Sequence, residues 1–461
     1  MKTSLFALLT VAALNCFATS QTKSTSDIIN EGEKIAIGNQ TLSSEQFKGY
    51  FTGKFKVGVA VSAAELNKTV VNGVDVKEFI KTNFNSISAE NEMKPDAMLN
   101  QSKSKAEGKP VVEFNVGANR ILKFCADNGL AVRGHVLVWH SQTPGWFFRE
   151  GFESNGAVLS DSAMTVRMEQ YIKAVFELIA DKYPNINLYA YDVVNEAFDD
   201  SGNGLRTPGS NAGKGESMWT QIYGNEAFID SAFTFARKYA PKNCKLYYND
   251  YNEYMGNKHN NIVSLIERLY KKGICDGVGM QSHLSTKYPD YNTYSRALKN
   301  FIKIGCDVQV TELDITIEEN TTEEDQAKLY SDLFKLYSEN AENISSVSIW
   351  GTQDGMSWRK AKTPLIFDSR YQPKEAYYAI IENFEYVDIN EKEAIVAPTS
   401  KLKVYNNSVG IVAEPTIDDA VETYIYRVDG SCVGKYIIIG RTEIALPKGI
   451  YIIDRTKVVV M

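Results

Sequence analysis

Apolar and polar positions alternate along this chain on two length scales. Short β-rich runs recur: FKVGVAV from Phe55, FNSISAE from Phe84, LAVRGHVLVW from Leu130, LYAYDVVNE from Leu188, CKLYYNDY from Cys244, GVGMQSH from Gly277, CDVQVTELD from Cys306 and SVSIWG from Ser346. Between them lie longer segments with helical periodicity, among them Val116 to Asp127, Met164 to Lys182, Ala227 to Lys238, Asn261 to Lys272, Tyr294 to Ile304 and Glu323 to Ser338. Eight β-then-α units over about 330 residues predict an α/β fold, a single (β/α)8 TIM barrel. A doubly wound open sheet shares the alternation but needs fewer strands. VSAAELN, which ends and follows the first run, also lacks the Gly-rich phosphate turn of such a sheet.

The pattern changes character at both ends. Lys2, the apolar stretch Leu5 to Leu14 and Ala18-Thr19-Ser20 before Gln21 read as a secretory signal peptide over residues 1–20. That stretch is short for a bilayer crossing and no later segment is longer, so no membrane span is expected. Export is expected, to the periplasm, the cell surface or the medium. Asn15 stands where a lipid-anchored Cys16 would want a small residue, which argues against lipidation. Residues 21–44 are polar and aperiodic, an N-terminal tether, and the barrel is expected over 45–386. A charged, Pro-containing linker follows over 387–400. Residues 401–461 then read as a small β-sandwich-like, all-β module, with hairpin signals at Asp429-Gly430 and at Pro447 to Gly449. This module has no His and no convincing carboxylate set, so no chemistry is placed there.

Composition narrows the partners. A net charge of −7 on 461 residues, unclustered, argues against nucleic acid or anionic membrane as the main partner and for a neutral or cationic ligand. The 26 Tyr supply flat rings that serve sugar faces as well as cores. Beyond Cys16, the cysteines Cys125, Cys244, Cys275, Cys306 and Cys432 are odd in number and widely spaced, which gives no sign of a disulfide framework.

Polar residues gather where the β-runs end, the face on which barrel enzymes build their sites. The second run ends in Glu90-Asn91-Glu92-Met93-Lys94, the third in His135, Trp139 and His140, and the fourth in Asn195-Glu196. The fifth ends in Asn249-Asp250, the sixth in Gln281-Ser282-His283, the seventh in Glu312-Leu313-Asp314, and the eighth at Trp350 with Trp358 beyond. A closed barrel brings Glu196 and Glu312 to face each other across its mouth. Paired carboxylates suit glycoside hydrolysis, and at about 5–5.5 Å one serves as nucleophile and the other as acid then base, with retention. The two must differ in protonation. Asn195 offers an amide for a sugar hydroxyl, and His283 and Asp314 are placed to hold Glu312. The structural alternative is that both glutamates pair with Lys or Arg in a network.

These residues resemble the family 10 glycoside hydrolases, the endo-β-1,4-xylanases, over most of Glu45 to Tyr386. The motifs are RGHVLVWHSQTPGWF, YDVVNEAF, LYYNDYN, GVGMQSH, VQVTELDI and WGTQDGMSWR, in the family's order and spacing. The resemblance implies a retaining endo-1,4-β-xylanase acting on xylan and xylo-oligosaccharides by double displacement, with no metal and no organic cofactor. Glu196 would be the acid/base and Glu312 the nucleophile. Glu90, Asn91, Lys94, His135, Trp139, Asn195, Gln281, His283, Trp350 and Trp358 would form the glycone-side subsites, and Tyr248 and Asn249 would lie toward the aglycone side. Pro95 stands where the family often has Trp, and Val136 where it often has Thr, changes expected to touch the distal glycone subsite only. The Gly-rich loop 201–224 is expected to border the cleft and help select decorated xylans. The C-terminal module is similar to type IX secretion sorting domains of Bacteroidota in LPKGIYII and its final basic-apolar strand, which would make secretion machinery a partner. A β-1,4-glucanase or cellulase on the same barrel would need room for a C6 hydroxymethyl near Trp350 and Trp358. A non-catalytic xylan-binding barrel, or an inhibitor built on it, would normally lack one of the two glutamates.

Overall fold

The computed structural model describes residues 34–37, 40–43, 46–387, 402–406, 410–415, 420–427, 432–453 and 456–460. The signal peptide, Cys16, the linker beyond Val387 and the Asp429-Gly430 turn lie outside the described residues. The chain divides after Val387 into two units.

In the first unit all eight β-runs form parallel strands: β1 (Lys56–Val61), β2 (Ser86–Ala89), β3 (Ala131–Gly134), β4 (Leu188–Asn195), β5 (Lys245–Asp250), β6 (Gly277–Met280), β7 (Asp307–Thr316) and β8 (Ile344–Ile349). Each pairs with the next, and β8 returns to β1 with Val347 opposite Val57, so the sheet closes. Closure removes the exposed edges an open sheet would leave.

A helix follows each strand: α1 (Val76–Asn83), α2 (Val116–Asn128), α3 (Asp161–Lys182), α4 (Ala227–Tyr239), α5 (Gly256–Lys271), α6 (Tyr291–Lys303), α7 (Glu323–Glu339) and α8 (Glu375–Ile381). Their ends follow local chemistry. Asp75 caps α1 by accepting from Lys77 N and Glu78 N, and Thr322 with Asp325 forms a capping box on α7. Helix α5 begins five residues before the expected Asn261, because its first turn buries Lys258 and His259 through polar partners and shows no apolar stripe. The sequence reading treats 21–44 as an unstructured tether, whereas Lys34–Ile37 pairs antiparallel with Gln40–Ser43.

Apolar side chains fill the space between strands and helices, but the barrel interior is polar. Buried Arg133 forms a two-pronged ion pair with Asp192 and donates from Nε to Gln309 Oε1 at 2.9 Å. Gln309 donates in turn to Tyr247 Oη and to Ser345 Oγ, both at 2.9 Å. Buried charges of this kind persist only when fully partnered. Gly279 makes the room, since a Cβ there would lie 2.3 Å from Asn249 Oδ1 and 3.1 Å from Arg133 Nη2.

Two bulges sit beside the candidate glutamates. Strand β4 carries an extra residue, Val193, against Tyr247 and Tyr248, and β7 carries one between Val310 and Leu313, against Val347 and Ile349. An extra residue bends a strand and re-aims the side chains after it, here toward the mouth.

The second unit contains two antiparallel sheets. Strands β9 (Leu402–Asn406), β10 (Gly410–Pro415) and β13 (Thr442–Ala445) make one, in the order β9-β10-β13. Strands β11 (Val421–Arg427), β12 (Cys432–Ile438), β14 (Gly449–Ile453) and β15 (Thr456–Val460) make the other, in the order β12-β11-β14-β15. Both sheets contribute to one core that includes Ile411, Ile425, Ile438, Ile444 and Ile453. Strands β11 and β12, which flank the hairpin expected around Asp429-Gly430, pair antiparallel. The one expected at Pro447 to Gly449 is not a hairpin: β13 pairs with β10, β14 pairs with β11 and β15, and these residues carry the chain between sheets. Buried Leu446 turns that corner, and Tyr451 Oη fixes it by donating to Pro447 O at 2.8 Å.

Candidate active site

Glu196 follows the last residue of β4 with a left-handed φ of +54°, a conformation that costs a non-glycine residue about 1–3 kcal/mol and clusters at functional sites. Asn195 Nδ2 and Gln281 Nε2 each donate to its Oε1 at 3.0 Å, and Trp139 Nε1 donates to Oε2 at 3.0 Å. Glu312, buried on β7, accepts from Asn249 Nδ2 at Oε1 (2.8 Å), and His283 Nε2 lies 3.2 Å from Oε2. The two shells meet at Asn195, whose Oδ1 accepts from Asn249 Nδ2 at 2.9 Å and Gln281 Nε2 at 3.1 Å. Thr311 Oγ1 donates to Asn249 Oδ1 at 2.7 Å, which fixes that amide's orientation. One buried amide cluster therefore holds both carboxylates.

The charges on the Glu312 side are strongly shaped. Burial opposes ionisation of Glu312, but the His283 hydrogen bond, the His135 and His283 rings and Asn249 outweigh it and hold the carboxyl down at about 2. Burial likewise opposes a charged His283, yet Asp314 and Glu312 raise it to about 10. His283 Nδ1 lies 3.0 Å from Asp314 Oδ2. Asp314 also accepts from Arg359 Nη1 at 2.6 Å and Trp358 Nε1 at 3.0 Å, so the chain from Glu312 through His283 to Arg359 alternates in charge.

Beside this pair, Lys94 Nζ donates to Asn91 Oδ1 and Gln142 Oε1, both at 3.0 Å, and lies 5.0 Å from the Trp139 ring centre. Burial lowers the Lys94 ammonium from its ordinary value, opposed by Glu312, Glu90 and Glu196, and burial raises Glu90. His135 Nδ1 contacts Asp192 Oδ2 at 2.9 Å, and its ring meets Trp350 edge-on at 5.4 Å. Trp358 stacks edge-on against His283 at 5.1 Å yet stays 60% exposed, the most open aromatic surface at the site.

The structure thus brings together Glu196, Glu312, Asn195, Gln281, His283, Asp314, Trp139, Lys94, Asn91, His135, Trp350 and Trp358, with Glu90 close by. It moves two residues from their expected places. Tyr248 is 0% exposed, and its hydroxyl donates to Asp250 Oδ2 at 2.5 Å and accepts from Ala197 N at 3.0 Å. Asn249 is also fully buried and lies between the glutamates. Alternation along β5 explains both, since adjacent side chains take opposite faces of a strand and Asn249 takes the inner one. Sequence reasoning missed Asp192, Gln142, Arg206 and Arg359. Gln142, Asp192 and Arg359 all stand inside quoted motifs, Asp192 mid-strand, whereas Arg206 lies in a Gly-rich loop.

Among the described residues no group of three or more His, Cys, Asp or Glu is placed to hold a metal ion, and no helix is long and apolar enough to cross a membrane. Cys125, Cys244, Cys275 and Cys306 are free and buried.

The sequence profile of glycosyl hydrolase family 10 matches residues 46–383. The chain is 48% identical over 341 residues to the bifunctional endo-1,4-beta-xylanase XylA of Ruminococcus flavefaciens, covering 74% of this chain and 34% of that protein. It is 42% identical over 420 residues to endo-1,4-beta-xylanase Y of Acetivibrio thermocellus, covering 87% and 37%. The chain spans about a third of the length of these curated relatives. Among solved structures it is similar to the N-terminal endo-1,4-beta-D-xylanase 10B of Clostridium thermocellum, CBM22-1 and GH10 modules in complex with xylohexaose. The TM-score is 0.69 and the identity 44%, over 74% of this chain and 69% of that one. An intracellular xylanase from Thermoanaerobacterium saccharolyticum gives a TM-score of 0.63 at 32% identity, over 73% and 98%.

Proposed function

The chain belongs to glycosyl hydrolase family 10, and from that premise we propose that it is a retaining endo-1,4-β-xylanase acting on xylan and xylo-oligosaccharides. One observation carries the reading: two glutamates joined by a single amide cluster, of which Glu312 is held as an anion by His283 and Asn249. Glu312 attacks the anomeric carbon while the glycosidic C–O bond breaks, and Glu196 gives its proton to the departing oxygen. Glu196 then takes a proton from water as that water displaces Glu312, so configuration at the anomeric carbon is retained overall. Lys94, Asn91, His135, Trp350 and Trp358 supply the polar and aromatic surface for the sugars on the glycone side. Indole rings of Trp350 and Trp358 filling the space that a glucose C6 hydroxymethyl needs would favour xylan over glucan.

Product analysis on xylan and mixed-linkage glucan, with NMR detection of the first anomer, tests substrate and stereochemistry together. Glu312→Ala should abolish hydrolysis while binding persists. Glu196→Ala should spare the first step on substrates with good leaving groups. Equal rates on carboxymethylcellulose and xylan, or a first product of inverted configuration, would overturn the reading.

The proposed organisation is a signal peptide over 1–20, a catalytic barrel over 45–386, a linker over 387–400 and a sorting-type module over 401–461. The protein would be exported, with the last module engaging secretion machinery. The N-terminal charge and apolar pattern and the LPKGIYII segment support this. Unchanged secretion or surface display after deletion of 401–461 would remove the sorting role.

A further inference from the structure

Arg206 lies in loop 201–224 between β4 and α4, outside every motif that carries the family resemblance. It nevertheless makes two of the four backbone bonds that fix the Glu196–Ala197 dipeptide. Glu196 N donates to Asn249 O at 2.9 Å, and Ala197 N to Tyr248 Oη at 3.0 Å. Arg206 Nε donates to Glu196 O at 2.6 Å, and Arg206 N to Ala197 O at 2.9 Å. The left-handed turn is bonded on all sides, and the same guanidinium places Nη2 3.6 Å from Glu196 Oε2.

Arg206 is itself held by a closed circuit. Its Nη2 donates to Tyr251 Oη at 3.2 Å, and Tyr251 donates to Asp200 Oδ2 at 2.7 Å. Lys258, whose side chain is fully buried, bridges Asp200 at 2.8 Å and Asp250 at 2.9 Å. Tyr248 donates to Asp250 at 2.5 Å and returns the circuit to Ala197 N.

We propose that Arg206 is a positioning residue for Glu196, clamping its left-handed turn and setting a cation against its carboxylate, with the circuit through Lys258 holding Arg206 in place. The proposal rests on Glu196 being the acid/base. Other charged and titratable groups around this corner are Glu312 on β7, Asp250 on β5, Lys258 on α5, Lys94 after β2 and His140 after β3. Burial, Arg206 and Lys258 hold His140 down at about 3, so it stays neutral. A cation this close to a carboxylate favours its charged form, so Arg206→Gln is expected to move the alkaline limb of the rate profile upward.

The test uses full-length Arg206→Gln, Arg206→Lys and Tyr251→Phe, with kcat/KM measured against pH on two substrates. Xylohexaose needs the acid; 2,4-dinitrophenyl β-xylobioside has a leaving group that needs no proton. Arg206→Gln should move the alkaline limb on xylohexaose up by about one pH unit and leave the activated substrate's profile in place. Arg206→Lys should keep the limb and lower kcat. Tyr251→Phe, which alters no charge, should lower kcat several-fold with the limb unmoved. A limb in Arg206→Gln that superposes on wild type, or an equal shift in Arg206→Lys, overturns the proposal. So does an equal loss on both substrates with a lower melting temperature. If wild type fails on xylohexaose, or Glu196→Ala matches it there, the acid/base reading falls instead.

Discussion

His283 stands between two carboxylates, and its charge decides what Glu312 can do. With the imidazole raised to about 10 and Glu312 held at about 2, the carboxylate of Glu312, the proposed nucleophile, stays ionised well into acid, which keeps the acid limb of the rate profile low. In His283→Asn the donor and the positive ring are both lost, and Glu312 should move up toward the ordinary carboxylic range. The acid limb of kcat/KM on xylan should then rise by about one to two pH units. A pH profile of the variant checks this; a limb that stays in place means the imidazole does not hold Glu312 ionised. The linkage to folding has a definite sign. Because Glu312 is depressed, its contribution to stability is present above the ordinary carboxylic value and is lost as pH falls toward 2. His283 is raised, so its contribution is complete below the ordinary imidazole value and is lost as pH climbs through about 10.

Strands β4 and β7 deliver the two glutamates, and the amide of Asn249 on β5 ties them together. Gly279 on the neighbouring β6 leaves that amide its space. In Gly279→Ala the new Cβ meets Asn249 Oδ1 at 2.3 Å and Thr311 Cγ2 at 3.0 Å, both on buried side chains with nowhere to retreat. Overpacking there should cost about 1–3 kcal/mol of stability. Displacing Asn249 should lower kcat on xylan by at least about tenfold with little change in KM; thermal melts and steady-state kinetics read the two effects separately.

At this scale the eight strands were legible because each is an apolar run that stops in polar residues, and the helices α2 to α7 because each carries an apolar stripe. What was not legible depends on partners far away in sequence. The first turn of α5 buries Lys258 against Asp200 and Asp250, so its burial looks like a polar loop. Tyr248 and Asn249 both leave the aglycone side expected of them, because inner and outer faces of β5 cannot be told apart until the barrel closes. Arg206 carries no signal except an arginine among glycines. The corner at Pro447 resembled a hairpin because turn residues mark a reversal of direction without saying which sheet the next strand joins.

Among the described residues the molecule has a barrel, which supplies every candidate-site residue named above, and a second unit with a core of its own. A chain ending at Val387 should therefore hydrolyse xylan with the kcat of the full-length protein and melt within a few degrees of the barrel transition in the intact chain. Calorimetry of both forms with parallel xylan assays tests this, and a large loss of activity would mean that the β-module does more than accompany the barrel.

The charged interior of the barrel has one more consequence, for protein engineers. A buried ion pair is an obvious target for heat-hardening, since apolar replacements of matching volume are often neutral or stabilising. Here Asp192, the partner of Arg133, also receives the ring of His135 from above. An oily plug in place of Arg133 and Asp192 would leave His135, whose ring meets Trp350, without its anchor. Thermal robustness in this chain has to be sought on the outer helices, because the centre of the barrel supports the candidate site.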